Sequence, residues 1–121
     1  GIQADLKTFH AFGVFGTSVL TAVTAQNTRG VFAVHPVPLE VVRAQMDAVV
    51  EDLRPAACKT GMLATAALVE EVAKGIESHG LDGYVLDPVM VATSGHRLLD
   101  ADAEASKLLG SGEGDGEGDS R

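Results

Sequence analysis

Two short apolar runs, "AACKTGML" and "GYVLDPV", flank a helix-length segment, "TAALVEEVAKGIESHG". This arrangement constrains the fold more than any other feature of the chain. Strands separated by a helix pair in parallel through a right-handed crossover, and helices then cover the sheet. Within the segment, Val69, Val72, Ala73 and Ile76 fall on one helical face, and Gly80 supplies a cap. Upstream, the spacing predicts a helix over residues 38–53: Pro38 suits its first turn, and Val42, Met46, Val49, Val50 and Leu53 share a face. Pro55 breaks the chain after it.

The same pattern extends toward the beginning of the sequence. Ile2, Leu6 and Phe9 recur at helical spacing and the helix stops at Gly13, with Asp5 in its early turns and Ile2 and Phe9 on its inward side. "TSVLTAVTAQN" is rich in β-branched residues and reads as a buried strand. "TRG" is a turn, and "VFAVHPVP" is a short extended piece ended by its prolines. "DADAEASKLL" opens a further helix with Asp100 or Asp102 as N-cap. The expected fold class is therefore α/β, with a mainly parallel sheet and helices on both faces.

A chain of 121 residues holds one small domain, here expected over residues 1–110. Residues 111–121, "SGEGDGEGDSR", set Glu113, Asp115, Glu117 and Asp119 against Arg121 alone. Without apolar residues such a tract cannot offset its ordering entropy, so an acidic, Gly-rich disordered tail is expected there. It lacks the spaced ligands and closing Glu of a calcium loop. A net charge of −8 excludes a nonspecific nucleic-acid binder. No apolar run approaches the roughly 20 residues of a membrane span, and "GIQADLKTFH" lacks the layout of a secretory signal. Cys58 stands alone, which excludes an internal disulfide and makes the cytoplasm the expected compartment.

In parallel α/β sheets, ligands bind beyond the carboxyl ends of the strands. Three strand exits follow: Gln26 with Asn27, "KTGML", and "DPVMVATSG", all expected on one edge. Gln26 offers one acceptor and two donors, the complement of an aminopyrimidine or amide edge, or of local backbone. Asp5 is either a solvated carboxylate favoured by its helix dipole or a contact for a ligand hydroxyl or ring nitrogen. Met62 follows a glycine that permits close backbone approach, and its thioether suits either a flat ring or the core. Lys59 is an anion partner or a surface lysine that ends a strand. Asp87 is held extended by Pro88, either as a turn residue or as a carboxylate near phosphates and magnesium. His10, His35, His79 and His96 have no metal-ligand spacing with each other or with Cys58, so no metal site is expected. The P-loop and nucleophile-elbow patterns are absent.

Assembled, "GIQADLKTF", "FGTSVLTAVTAQNT", "CKTGML" and "LDPVMVATSGHRLL" resemble the hydroxymethylpyrimidine/phosphomethylpyrimidine kinases of thiamin biosynthesis, within the ribokinase-like superfamily. The blocks run almost continuously from Gly1 to about Asp100, in the family's order. "DPVM" also occurs in related pyridoxal kinases, whereas "GIQADLKT" with "TAVTAQNT" points to the pyrimidine enzymes. The resemblance implies part of a three-layer α/β/α kinase. It implies ATP and magnesium as cofactors, and successive phosphorylation of 4-amino-5-hydroxymethyl-2-methylpyrimidine and its monophosphate. On this resemblance Asp5, Gln26, Met62 and Val89 line the pyrimidine pocket, and Asp87 lies toward phosphates and magnesium. A homodimer is implied for the full-length enzyme.

The family also has a first strand and a "GSDPSGGA"-type loop before "GIQAD", and a late Gly-Thr-Gly turn that carries its catalytic base. Neither occurs here, so the chain is expected to be an N-terminal portion with no catalytic residue of its own and no kinase turnover in isolation. Two alternatives stay open: a non-catalytic fragment or degenerate relative that at most binds a pyrimidine, and a pyridoxal kinase-like preference.

Overall fold

The computed structural model describes residues 1–87. Along them run α1 (Ile2–Ala11), β1 (Ala22–Asn27), β2 (Gly30–Pro36), α2 (Leu39–Asp52), β3 (Cys58–Thr60), α3 (Ala66–Ser78) and β4 (Tyr84–Leu86). The helix expected from Asp100 or Asp102 and the acidic tail at residues 111–121 lie outside the described residues.

The helix ends follow local chemistry. Pro38 caps α2 at its start with φ −54°, and the helix closes at Leu53 as the spacing predicts. At the start of α3 the Thr65 side chain accepts from the Leu68 amide at 3.2 Å, meeting one of the orphan donors of the first turn. Both α1 and α3 end in the same left-handed glycine motif. Gly13 (φ 71°) and Gly80 (φ 59°) take the conformation that a Cβ disfavours. The following amides then reach back, Val14 to the Phe9 carbonyl and Leu81 to the Ile76 carbonyl. Arg54 Nη2 adds hydrogen bonds to the His79 and Gly80 carbonyls at 2.8 and 3.3 Å.

β3 and β4 pair in parallel, Lys59 opposite Val85 and Thr60 opposite Leu86, with α3 as the connection. The expected β–α–β unit is thus present, and the chain is α/β. β1 and β2 depart from the all-crossover pattern. Only Thr28 and Arg29 separate them, a connection too short for a crossover, so they form an antiparallel hairpin. Asn27 Oδ1 accepts from the Arg29 and Gly30 amides at 2.8 and 3.2 Å and stabilises the turn. Past the turn the register jumps from Gln26↔Val31 to Ala25↔Ala33, leaving Phe32 as the extra residue of a bulge.

Val42, Leu63, Ala64, Leu68 and Val72 form the core, with Val19, Val37, Val69 and Ile76 packed against it. Leu68 and Val42 are its largest fully buried side chains, and each such burial stabilises by about 1.5–3 kcal/mol. Some expected burial is not found. Leu68 takes the inward position on α3, while Ala73 faces out. On α2, Met46 is buried with Val42, but Leu53 is half exposed. β1 was expected to begin at Thr17 and to be buried; it begins at Ala22 and buries none of its residues. Leu20 explains the late start: its amide donates to Gln45 Oε1 at 2.9 Å and its carbonyl accepts from Gln45 Nε2 at 3.0 Å. A side chain therefore takes the place of a neighbouring strand. In β4, also expected buried, Tyr84 and Val85 are exposed, because the sheet they belong to has two strands among the described residues.

Candidate functional site

β3 and β4 run side by side in one direction, so their carboxyl ends meet at Thr60 and Leu86. The ladder continues one step as the Asp87 amide donates to the Thr60 carbonyl at 3.0 Å. Thr60 is buried, and its hydroxyl shares a 2.8 Å hydrogen bond with the Tyr84 hydroxyl, which satisfies both groups. Asp87 is thereby fixed at the strand end.

Against this edge lies α1, and Lys59 joins the two. Lys59 Nζ donates to Asp5 Oδ1 at 2.7 Å and stands 3.3 Å from Asp87 Oδ2. The lysine side chain is 26% exposed, less than a free surface lysine, and it holds a carboxylate from each of two separate elements. Its ammonium is pushed above the ordinary lysine range, first by the hydrogen bond it donates to Asp5 and then, against a burial cost, by Asp87. Asp5 is accordingly an ion-pair partner, not a solvated helix-start charge. Lys59 is not a free strand-end lysine but the centre of a three-residue cluster. The inward side expected for α1 is not buried either: none of its residues is.

One residue before Asp5, the start of α1 lines a cavity of about 620 Å³ together with the hairpin. Gly1, Gln3 and Ala4 form one wall, and Thr24, Gln26, Asn27 and Thr28 the other. Thr24 and Gln26 lie two apart on one strand and so share a face, and the bulge at Phe32 sits beside Gln26, where such irregularities re-aim side chains. Gln26 is exposed, with its amide available to this space. Among the described residues, the exit at Gln26 and Asn27 is therefore a hairpin tip and not a third end of the parallel pair. The first turn of α1 links it to the other two exits.

Met62 is half-buried in the loop after β3, and its carbonyl accepts from Thr21 Oγ1 at 3.1 Å. Val89 lies outside the described residues. Among the described residues no group of three or more His, Cys, Asp or Glu could hold a metal ion, and the Asp87 carboxylate already faces the Lys59 ammonium. These residues do not make a metal site by themselves. No helix among them is long and apolar enough to cross a membrane. Gln3, Thr24 and Thr28 are groove residues not expected from the sequence, although the polar spacing Thr24, Gln26, Thr28 is a usable sign of a wetted face at the end of β1.

A second cavity, of about 500 Å³, lies on α2 and α3, lined by Arg43, Lys74, Glu77 and Ser78. There Arg43 Nη2 donates to Ser78 Oγ at 2.7 Å and Arg43 Nε pairs with Asp47 at 3.2 Å. Its polar groups tie the two helices to each other.

Comparison with known proteins adds to this geometry. The family model described as phosphomethylpyrimidine kinase matches residues 1–109. A hydroxymethylpyrimidine/phosphomethylpyrimidine kinase of Bacillus subtilis is 58% identical over 99 residues, which cover 82% of this chain and 36% of the relative. The crystal structure of phosphomethylpyrimidine kinase from Clostridium difficile superposes with a TM-score of 0.80 at 44% identity, covering 88% of this chain and 46% of that one. A pyridoxal kinase from Staphylococcus aureus, in complex with pyridoxal, gives a TM-score of 0.67 at 35% identity over 75% of this chain and 34% of that one. The chain thus spans less than half the length of each of these relatives.

Proposed function

Because the chain belongs to the phosphomethylpyrimidine kinase family, we propose that residues 1–87 carry the substrate side of an ATP-dependent kinase. Its substrates are 4-amino-5-hydroxymethyl-2-methylpyrimidine and then the monophosphate of that compound, in thiamin biosynthesis. The observation that carries this reading is the groove between the hairpin and the first turn of α1, whose residues Gln3 and Ala4 directly precede Asp5 of the Asp5–Lys59–Asp87 cluster. In it the Gln26 carboxamide accepts from the exocyclic amino group of the pyrimidine and donates to the adjacent ring nitrogen. Asp5 stands at the same end of α1, toward the ring or its hydroxymethyl group. Met62, which is not among the residues lining the groove, and Val89 are assigned to the apolar faces of the pocket, a role suited to a thioether and a branched aliphatic chain.

Phosphoryl transfer asks little covalent chemistry of the protein. The acceptor hydroxyl must be aligned, the phosphate charge stabilised and water excluded. ATP supplies the phosphoryl group and is expected to bring magnesium, which keeps most of its ligands as water and phosphate and uses one or two carboxylates. Asp87 is the carboxylate assigned to that side. Its pairing with Lys59 suits a neighbour of the phosphates better than the sole anchor of an ion. The enzyme is assigned to the cytoplasm, which the lone Cys58 thiol supports, and to a homodimer in its full-length form.

Calorimetric titration with the pyrimidine tests the pocket. Gln26→Ala removes a paired hydrogen-bonding edge, and affinity is expected to fall about tenfold or more. Unchanged affinity would remove Gln26 from the site. A second reading, preference for pyridoxal, is favoured by the likeness to the pyridoxal-bound kinase of Staphylococcus aureus. Competition between pyrimidine and pyridoxal in the same titration separates the two: displacement of the pyrimidine by a lower concentration of pyridoxal would favour this second reading.

A further inference from the structure

We infer that Lys59 is the positioning residue of the groove, holding the first turn of α1 to the ends of β3 and β4 through Asp5 and Asp87. The inference rests on the pyrimidine reading for what the groove binds, though the tie itself does not depend on it. α1 has ten residues and none is buried. An isolated helix of that length is marginal in water and takes its stability from packing. Its apolar contact is narrow: Leu6 and Phe9 lie so close to Gly16 that a Cβ there would stand 2.9 Å from a Leu6 methyl carbon and 2.7 Å from a Phe9 ring carbon.

The Lys59–Asp5 bond spans 54 positions of sequence and comes from a strand fixed by parallel pairing. Lys59 does not line the groove, whereas Gly1, Gln3 and Ala4, just before Asp5, do. Lys59 therefore acts on the groove through Asp5. Without its ammonium two carboxylates would face each other across the junction, and their repulsion would drive the start of α1 off the strand ends. Partly exposed pairs of this kind add little to global stability, so the effect should be local.

Hydrogen exchange of the protein measures the tie without any ligand, and calorimetry with the pyrimidine measures its consequence. In Lys59→Met the α1 amides are expected to exchange about fivefold faster, with α2 and α3 at their original rates. Pyrimidine affinity should fall about tenfold. Lys59→Arg, which keeps the charge, should restore both to within about twofold. Asp5→Asn, which removes the other end of the tie, should loosen α1 in the same way. Unchanged α1 exchange in Lys59→Met would overturn the inference. Faster exchange with unchanged affinity would reduce Lys59 to a structural tie and overturn its role in positioning. Lys59→Arg as impaired as Lys59→Met, with α2 and α3 intact, would reject charge as the cause. Absence of pyrimidine binding by the unaltered chain would sink the substrate reading, while the exchange rates still decide whether Lys59 holds α1.

Discussion

The α2–α3 pair and the α1–hairpin pair are built on different principles. α2 and α3 meet through Val42, Leu68 and Val72, side chains almost without exposure, and their polar contacts lie at the rim of that seam. α1 and the β1–β2 hairpin bury almost nothing, only Gly30, and meet across a groove of amides, hydroxyls and backbone. A lysine between two carboxylates joins α1 to the strand ends. The contrast separates stability from the recognition proposed for the groove: an apolar seam is a firm scaffold but offers a polar ring nothing to bond, whereas a wetted groove offers polar groups and contributes little to folding.

The strongest test of that division is Leu68→Ala. Emptying the centre of the seam is expected to cost about 2–5 kcal/mol in chemical unfolding, more than any substitution in the groove. If Gln26→Ala or Lys59→Met proved as destabilising, the two regions would not differ in kind and the comparison would fail.

A pH series gives a smaller but more discriminating effect, because in alkali the α1 tie is lost while the α2–α3 tie is not. Asp47 on α2 accepts a 2.6 Å hydrogen bond from His79 Nε2, and His79 first, then Arg43, holds its carboxyl below the ordinary value of 3.8. A carboxyl lowered on folding contributes stability above its unfolded value, and that contribution is lost as the pH falls through the folded value. The α2–α3 seam should therefore loosen only in acid, below about pH 3.8. Lys59 is raised on folding, so its contribution is complete below its ordinary value of 10.5 and is lost as the pH rises through the folded value. Amide exchange corrected for intrinsic rates should show α1 released first in alkali, with α2 and α3 still protected there. The reverse order would contradict the assignment of these two ties.

The same contrast marks how far the sequence could be read. Elements governed by local rules were legible: Gly13 and Gly80 announced helix ends that the left-handed caps realise, and Pro38 with the Val42–Met46 spacing located α2 to within a residue. The β3–α3–β4 unit followed from the length of its connection. The hairpin was harder to see, because β-branched "TAVTA" looks like a buried parallel strand, although a two-residue link at Thr28 and Arg29 permits only an antiparallel return. The candidate site was legible only as residue types. Gln26 and Asp5 could be named from their chemistry and from family likeness, but the partnership of Lys59 with Asp5 crosses 54 positions and has no local signature. Only the parallel pairing of β3 with β4, which brings Lys59 beside Asp87, reveals why that lysine matters.

Amide chemical-shift mapping during titration with 4-amino-5-hydroxymethyl-2-methylpyrimidine tests the division most directly. The shifts should concentrate at residues 3–5, 24–28 and 59–62, the groove walls and the strand end beside them. A response centred instead on Arg43, Lys74, Glu77 and Ser78, the cavity on the α2–α3 face, would place recognition on the scaffold and contradict the account.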